Sequence, residues 1–146
     1  MLDPSYQQLT IQLHLFATLL MTGVVWFVQL VHYPSFRFVA VEKGKEAVQF
    51  HQRKTSFLVI PLMLIEMGTG ILLMSSSWVT QYGNYLILNL ALLFLIWGVT
   101  FLKMFPLYRR LGESLDESSI SSLISMNWIR TILWTMRAGL LLSFLS

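Results

Sequence analysis

The chain has 146 residues, 55% of them hydrophobic and only 12% charged, which excludes an ordinary soluble domain and points to one membrane domain spanning residues 1–146. Its formal charge of +3 comes without any RNA- or DNA-reading motif, so no nucleic-acid partner is expected; the basic residues flank apolar stretches, where they set orientation and meet lipid headgroups. The absence of cysteine removes thiol catalysis, disulfides, iron–sulfur ligation and CxxC metal sites.

The start, Met1-Leu2-Asp3-Pro4, has no basic n-region, so no cleavable signal is expected. Four apolar stretches follow, 9–32, 56–75, 85–105 and 122–145, each of about 20 residues and so long enough to cross the hydrocarbon core as a helix. The expected fold class is all-α: an integral membrane four-helix bundle. In the first stretch His14, Thr18, Gln29 and His32 recur at helical spacing and form one inward stripe, with Ala17 and Gly23 allowing a neighbouring helix to approach. His14 and His32 lie about 27 Å apart along that helix and cannot share a metal.

Residues 36–54 place Phe36, Phe38, Val48 and Phe50 among charges, the pattern of a short amphipathic segment at the cytoplasmic headgroups between the first and second helices. The second stretch contains Pro61, expected to kink it, and Glu66, the one acid inside any stretch, followed by Gly68 and Gly70. The loop 75–84 carries no charge. Asn89, Trp97, Gly98 and Thr100 mark the third stretch, which ends with Lys103 snorkelling to the headgroups and a break at Pro106. The linker after Gly112 is polar, and Ser118 or Ser119 is placed to cap the final helix.

That final helix sets two arginines inside an apolar stretch. Asn127, Arg130, Trp134 and Arg137 share one face, with the guanidiniums about 10 Å apart along the axis. Neither arginine sheds its proton, and a charged side chain at membrane depth faces a bundle interior, a wet cavity or a partner. Glu66 lies at a depth between them and pairs with one, so about one positive charge stays unanswered. A snorkelling arginine, an acid from a second chain, in a homo-oligomer or with another membrane protein, or an anionic hydrophobic ligand would each answer it. Trp26, Trp97, Trp128 and Trp134 offer aromatic walls for such a ligand.

Eight of the ten lysines and arginines fall at 33–55 and 103–110, and the 75–84 loop has none. The positive-inside rule then puts the 33–55 and 106–121 segments in the cytoplasm and both termini and the 75–84 loop outside.

His14…Gly23…His32-Tyr33-Pro34…Phe50-His51-Gln52-Arg53…Ile60-Pro61-Leu62-Met63, with Asn127-Trp128-Ile129-Arg130-Thr131…Trp134…Arg137, resembles a group of small bacterial four-span proteins without assigned function. More distantly, the first half of the chain is similar to the HemJ family of bacterial membrane protoporphyrinogen oxidases. That likeness implies a bacterial inner-membrane location, a heme cofactor with His14 as its axial ligand, and a basic residue late in the third span at Lys103. Three functions are therefore carried forward. The first is a heme- or porphyrin-binding oxidoreductase, with His14, Asn127, Arg130, Trp134 and Arg137 around the ligand. The second is a non-enzymatic membrane subunit or scaffold whose arginines pair with a partner. The third is a small lipid-modifying enzyme or carrier with Glu66 as catalytic base.

Overall fold

The structure, a computed structural model, describes residues 3–145, so the Met1-Leu2 part of the expected signal-free start lies outside it. Among the described residues every regular element is helical. Helix α1 runs Pro4–Phe27; the Asp3 carboxylate accepts from the Ser5 amide at 2.9 Å and Pro4 opens the first turn, two features that satisfy or remove the free N–H groups of a helix start. It passes through a wide π turn, Val28–His32, into the short helix α2, Tyr33–Ser35. Two 3₁₀ turns lead to α3, Gly44–Leu73. Helix α4, Val79–Val99, meets a second π turn, Thr100–Met104, before α5, Phe105–Glu113, and α6 fills Glu117–Leu145. The stretches Pro4–Phe38, Val41–Leu73 and Val79–Glu113 are long and apolar enough to cross a membrane, which makes this an all-α membrane protein. Helix α6, 29 residues long, is a fourth long helix that carries the two arginines.

Helix α1 packs on α3 and α6, and α4 packs on the same two, so the four long helices close into a ring. Three apolar clusters fill it in layers. Ile11, Leu73, Leu86 and Leu141 lie at the end nearest the termini; Ala17, Met21, Leu62, Ile96 and Trp134 lie in the middle; Tyr33, Val48, Met104, Leu111 and Leu123 lie at the opposite, basic end.

The amphipathic stretch expected over 36–54 is not a separate surface helix. From Gly44 onward it is the first part of α3, continuous with the expected second span, and Val48 and His51 are buried. Gly44 is needed there, since a Cβ would stand 2.7 Å from the Leu115 Cβ. Pro61 lies within α3 without ending it. The cap of α6 is Asp116 rather than either serine: its carboxylate accepts from the Ser119 amide at 2.8 Å. The close approach expected at Gly23 is also absent, for nothing lies within 4 Å of a Cβ there, whereas Gly70 does admit a neighbour, the His14 ring, at 3.4 Å.

The two π turns change which residues face inward. A π turn holds one extra residue and so advances a helix face by about 100°. On α1 Met21, Val25, Val28 and Gln29 are buried up to and into the π turn and Tyr33 and Phe36 after it, with His32 left half-buried. On α4 Leu93 and Ile96 are buried before the second π turn and Met104 at its end, while Lys103 is exposed. Both turns immediately precede an aromatic–proline pair, Tyr33-Pro34 and Phe105-Pro106. Proline lacks the N–H that an α turn would use and clashes with the carbonyl four residues back, which favours the wider turn.

Candidate functional site

The α6 face read from the sequence is the inner face: Asn127, Thr131, Trp134 and Arg137 are fully buried and Arg130 is 6% exposed. The two arginines nevertheless sit in different surroundings.

Arg137 is closed in on every side. Its Nη1 donates to Glu66 Oε1 at 2.6 Å, and its Nε and Nη2 both donate to Asn89 Oδ1 at 3.2 Å. The Trp134 indole N–H reaches both Glu66 oxygens at 3.2 Å, and the Thr18 hydroxyl donates to Oε1 at 2.9 Å. Glu66 is thus a fully buried counter-ion with three different donors, and the expected pairing across the bundle is with Arg137. It lines neither the cavity of about 630 Å³ beside Arg130 nor the groove of about 450 Å³ between α1 and α3.

His14 belongs to this same assembly. Its Nδ1 contacts the Thr69 hydroxyl at 2.8 Å and its Nε2 contacts Asn89 Oδ1 at 3.2 Å. An axial heme ligand needs a free ring nitrogen with open space before it. His14 is 2% exposed, has both nitrogens engaged and lines neither cavity. It does not fit that role, and among the described residues no group of three His, Cys, Asp or Glu side chains is arranged to hold a metal.

Among the described residues Arg130 has no carboxylate partner. Its Nη1 donates to Asn127 Oδ1 at 3.1 Å, its guanidinium lies 5.3 Å from the Trp134 ring centroid, and its buried Nε meets no acceptor. Asn127 is itself held, donating to Gln29 Oε1 at 2.8 Å. Arg37 at the basic end is a useful contrast: its Nε and Nη2 form a fork on Glu117, at 2.9 and 2.7 Å. The Arg130 Nε lacks any such acid.

Arg130 lines a cavity of about 630 Å³. The inner wall is polar, made of Arg130, Asn127, Tyr33, Tyr108 and His51. The Tyr33 and Tyr108 phenols hydrogen-bond to each other beside the guanidinium, and His51 Nε2 lies 3.4 Å from the Tyr108 oxygen. Toward mid-bundle the lining turns apolar through Val25, Val59, Met63 and Trp97, whose indole N–H is buried without an acceptor. Ile60, Phe101 and Phe105 line the cavity and are also exposed on the outer surface, so it opens sideways between α3 and the α4–α5 arm.

The residues picked from the sequence therefore divide. Asn127 and Arg130 reach the cavity, Trp134 stands between the two assemblies with its ring toward Arg130 and its N–H toward Glu66, and His14, Glu66 and Arg137 are sealed away. Of the expected aromatic walls only Trp97 lines the cavity; Trp26 and Trp128 pack edge to face, 5.6 Å apart, on the far side of α1 and α6. Tyr33, His51 and Tyr108 were missed. Their signal was the pair of aromatic–proline steps, which move a tyrosine into each inner face. Comparison with protein-family models, with curated proteins and with solved structures finds no match to this chain.

Proposed function

We propose that this protein is a membrane-embedded binding protein for an anionic amphiphile, whose acidic group meets Arg130 and whose apolar part lies along Val59, Met63, Trp97 and Phe101. One observation carries the reading: a buried guanidinium with no counter-charge among the described residues lines a cavity that opens between exposed apolar side chains of α3 and the α4–α5 arm. Burying a charge alone is costly, and a carboxylate or phosphate delivered by the ligand would offset that cost with charge-assisted hydrogen bonds. The tyrosine pair and Asn127 supply polar groups that orient the acid, as in other largely apolar ligand pockets. A porphyrin edge belongs to this chemical class, but if a tetrapyrrole is the occupant its iron is not held by His14.

The reading includes a four-span bundle in a bacterial inner membrane, with α6 as the fourth span, both termini outside and the basic end in the cytoplasm. Eight lysines and arginines at that end support this orientation. A partner helix answering Arg130 is the competing proposal, but it would have to enter between α3 and α4, because the guanidinium faces the interior. The test is native mass spectrometry of the protein released from its own membranes. An anionic lipid-like adduct on the wild type that is lost in Arg130→Gln supports the proposal; a wild type free of adducts under conditions that preserve lipid complexes refutes it.

A further inference from the structure

The chamber beside Arg130 carries more positive charge than that one side chain. Arg53 also lines it, and no aspartate or glutamate among the described residues does. Arg53 enters none of the ion pairs among those residues. It is exposed, whereas Arg130 is buried, so one cation stands at the inner wall and the other at the rim. They lie close in depth. Arg130 sits beside the Tyr108 hydroxyl, the Tyr108 oxygen is 3.4 Å from His51 Nε2, and Arg53 follows His51 by two positions, about 3 Å of helix rise.

The lining contributed by α3 shows how long the polar part is. Gln49, Gln52, Arg53 and Ser56 recur at spacings of three and four and form one stripe of that helix, which continues as Ile60 and Met63. From Gln49 to Ser56 the stripe gives about 10 Å of polar wall before it turns apolar. A single carboxylate or phosphate held on Arg130 covers a fraction of that length and leaves the Arg53 end of the wall without an anionic partner.

We infer that the ligand is a diphosphate ester of a long apolar alcohol, with one phosphate on Arg130, the second toward Arg53 and its single chain along Ile60, Met63 and Trp97. The inference rests on the reading of the Arg130 chamber as an anionic-amphiphile site. Two phosphate groups in series bring oxygen acceptors to both guanidiniums, and the planar guanidinium fork matches phosphate oxygens. The Arg130 Nε–H, buried without an acceptor, is one donor that such an oxygen satisfies. Tyr33, Asn127, Gln49 and Gln52 border the same space and add uncharged hydrogen-bonding groups around the head. The ester is bound intact, and no covalent step is involved.

Farnesyl monophosphate and farnesyl diphosphate share one chain and differ by one phosphate. Each is titrated against the full-length protein in one detergent, with occupancy read by native mass spectrometry. Wild type is expected to bind the diphosphate about tenfold more tightly, the scale of one charge-assisted hydrogen bond. Arg53→Gln is expected to lose that preference while keeping its affinity for the monophosphate. Arg53 is exposed, so the change leaves the packing of the bundle intact. Arg109→Gln removes an exposed cation that does not line the cavity, and is expected to bind both probes as wild type does. If wild type binds both probes equally, if Arg53→Gln keeps the preference, or if Arg109→Gln loses it as fully as Arg53→Gln, the diphosphate inference falls and the Arg130 site stands. If wild type binds neither probe, the anionic-amphiphile reading falls with it.

Discussion

Replacing Glu66 with glutamine tests whether the sealed assembly holds the bundle together. The carboxylate accepts from Arg137 at 2.6 Å, from Thr18 at 2.9 Å and from Trp134 at 3.2 Å, and neither Glu66 nor Arg137 has any exposed side-chain surface. Glutamine keeps the shape but leaves Arg137 charged without a counter-ion, and its amide sets an N–H₂ donor among groups that are all donors. Removing one partner of a buried ion pair costs about 3–5 kcal/mol. For a chain of this size that lowers the melting temperature by on the order of 10 °C. The assay is a thermal melt in detergent, with Arg137→Met and the double variant Glu66→Leu/Arg137→Met alongside. Each single change is expected to be strongly destabilising, and the double change less so than their sum, because an apolar pair leaves no stranded charge. Additive losses, or a silent Glu66→Gln, would refute the assignment of Glu66 as the counter-ion of Arg137.

Arg130→Met is expected to behave in the opposite way, leaving the melting temperature of ligand-free protein unchanged or raised, since it removes an uncompensated charge worth about 3 kcal/mol on insertion scales; a large loss of stability would mean that Arg130 has a counter-charge. Tyr108→Phe keeps the ring and removes the hydroxyl beside Arg130, so anionic-ligand occupancy should fall with little change in melting temperature, read by the same mass spectrometry. Reporter fusions after Gly112 and at the C-terminus should report cytoplasmic and external locations respectively, and a cytoplasmic C-terminus overturns the orientation. Arg37 holds the exposed Glu117 carboxyl below its ordinary pKa. That contact therefore stabilises above the ordinary carboxylate range and is lost as pH falls through the lowered pKa, so melting curves of wild type and Glu117→Gln should converge in acid.

The long helices and the inner face of α6 were legible because apolar length and a 3.6-residue period suffice to read them. Glu66 was legible as a counter-ion, but its choice between Arg130 and Arg137 was not. From depth alone it lies between the two, and the choice depends on Asn89 and Thr18, whose neighbours come from other helices. His14 was correctly turned inward, yet its partners Thr69 and Asn89 lie 55 and 75 positions away, beyond any local pattern. The cavity was illegible for a different reason. Its tyrosines follow the two π turns, each of which holds one residue more than a constant helical period counts and so displaces by about 100° the face that period assigns.

Those turns amount to one-residue phase shifts built into α1 and α4. Upstream of them the helices are in register with the ion pair; downstream, the same chain presents a rotated set of side chains to Arg130. Removing one residue from within 100–104 would turn the following arm back by about 100°, withdrawing Tyr108 from the chamber while leaving Asn89 in step with Arg137. The ligand end of this fold is thereby tunable by insertion or deletion independently of the end that keeps it folded.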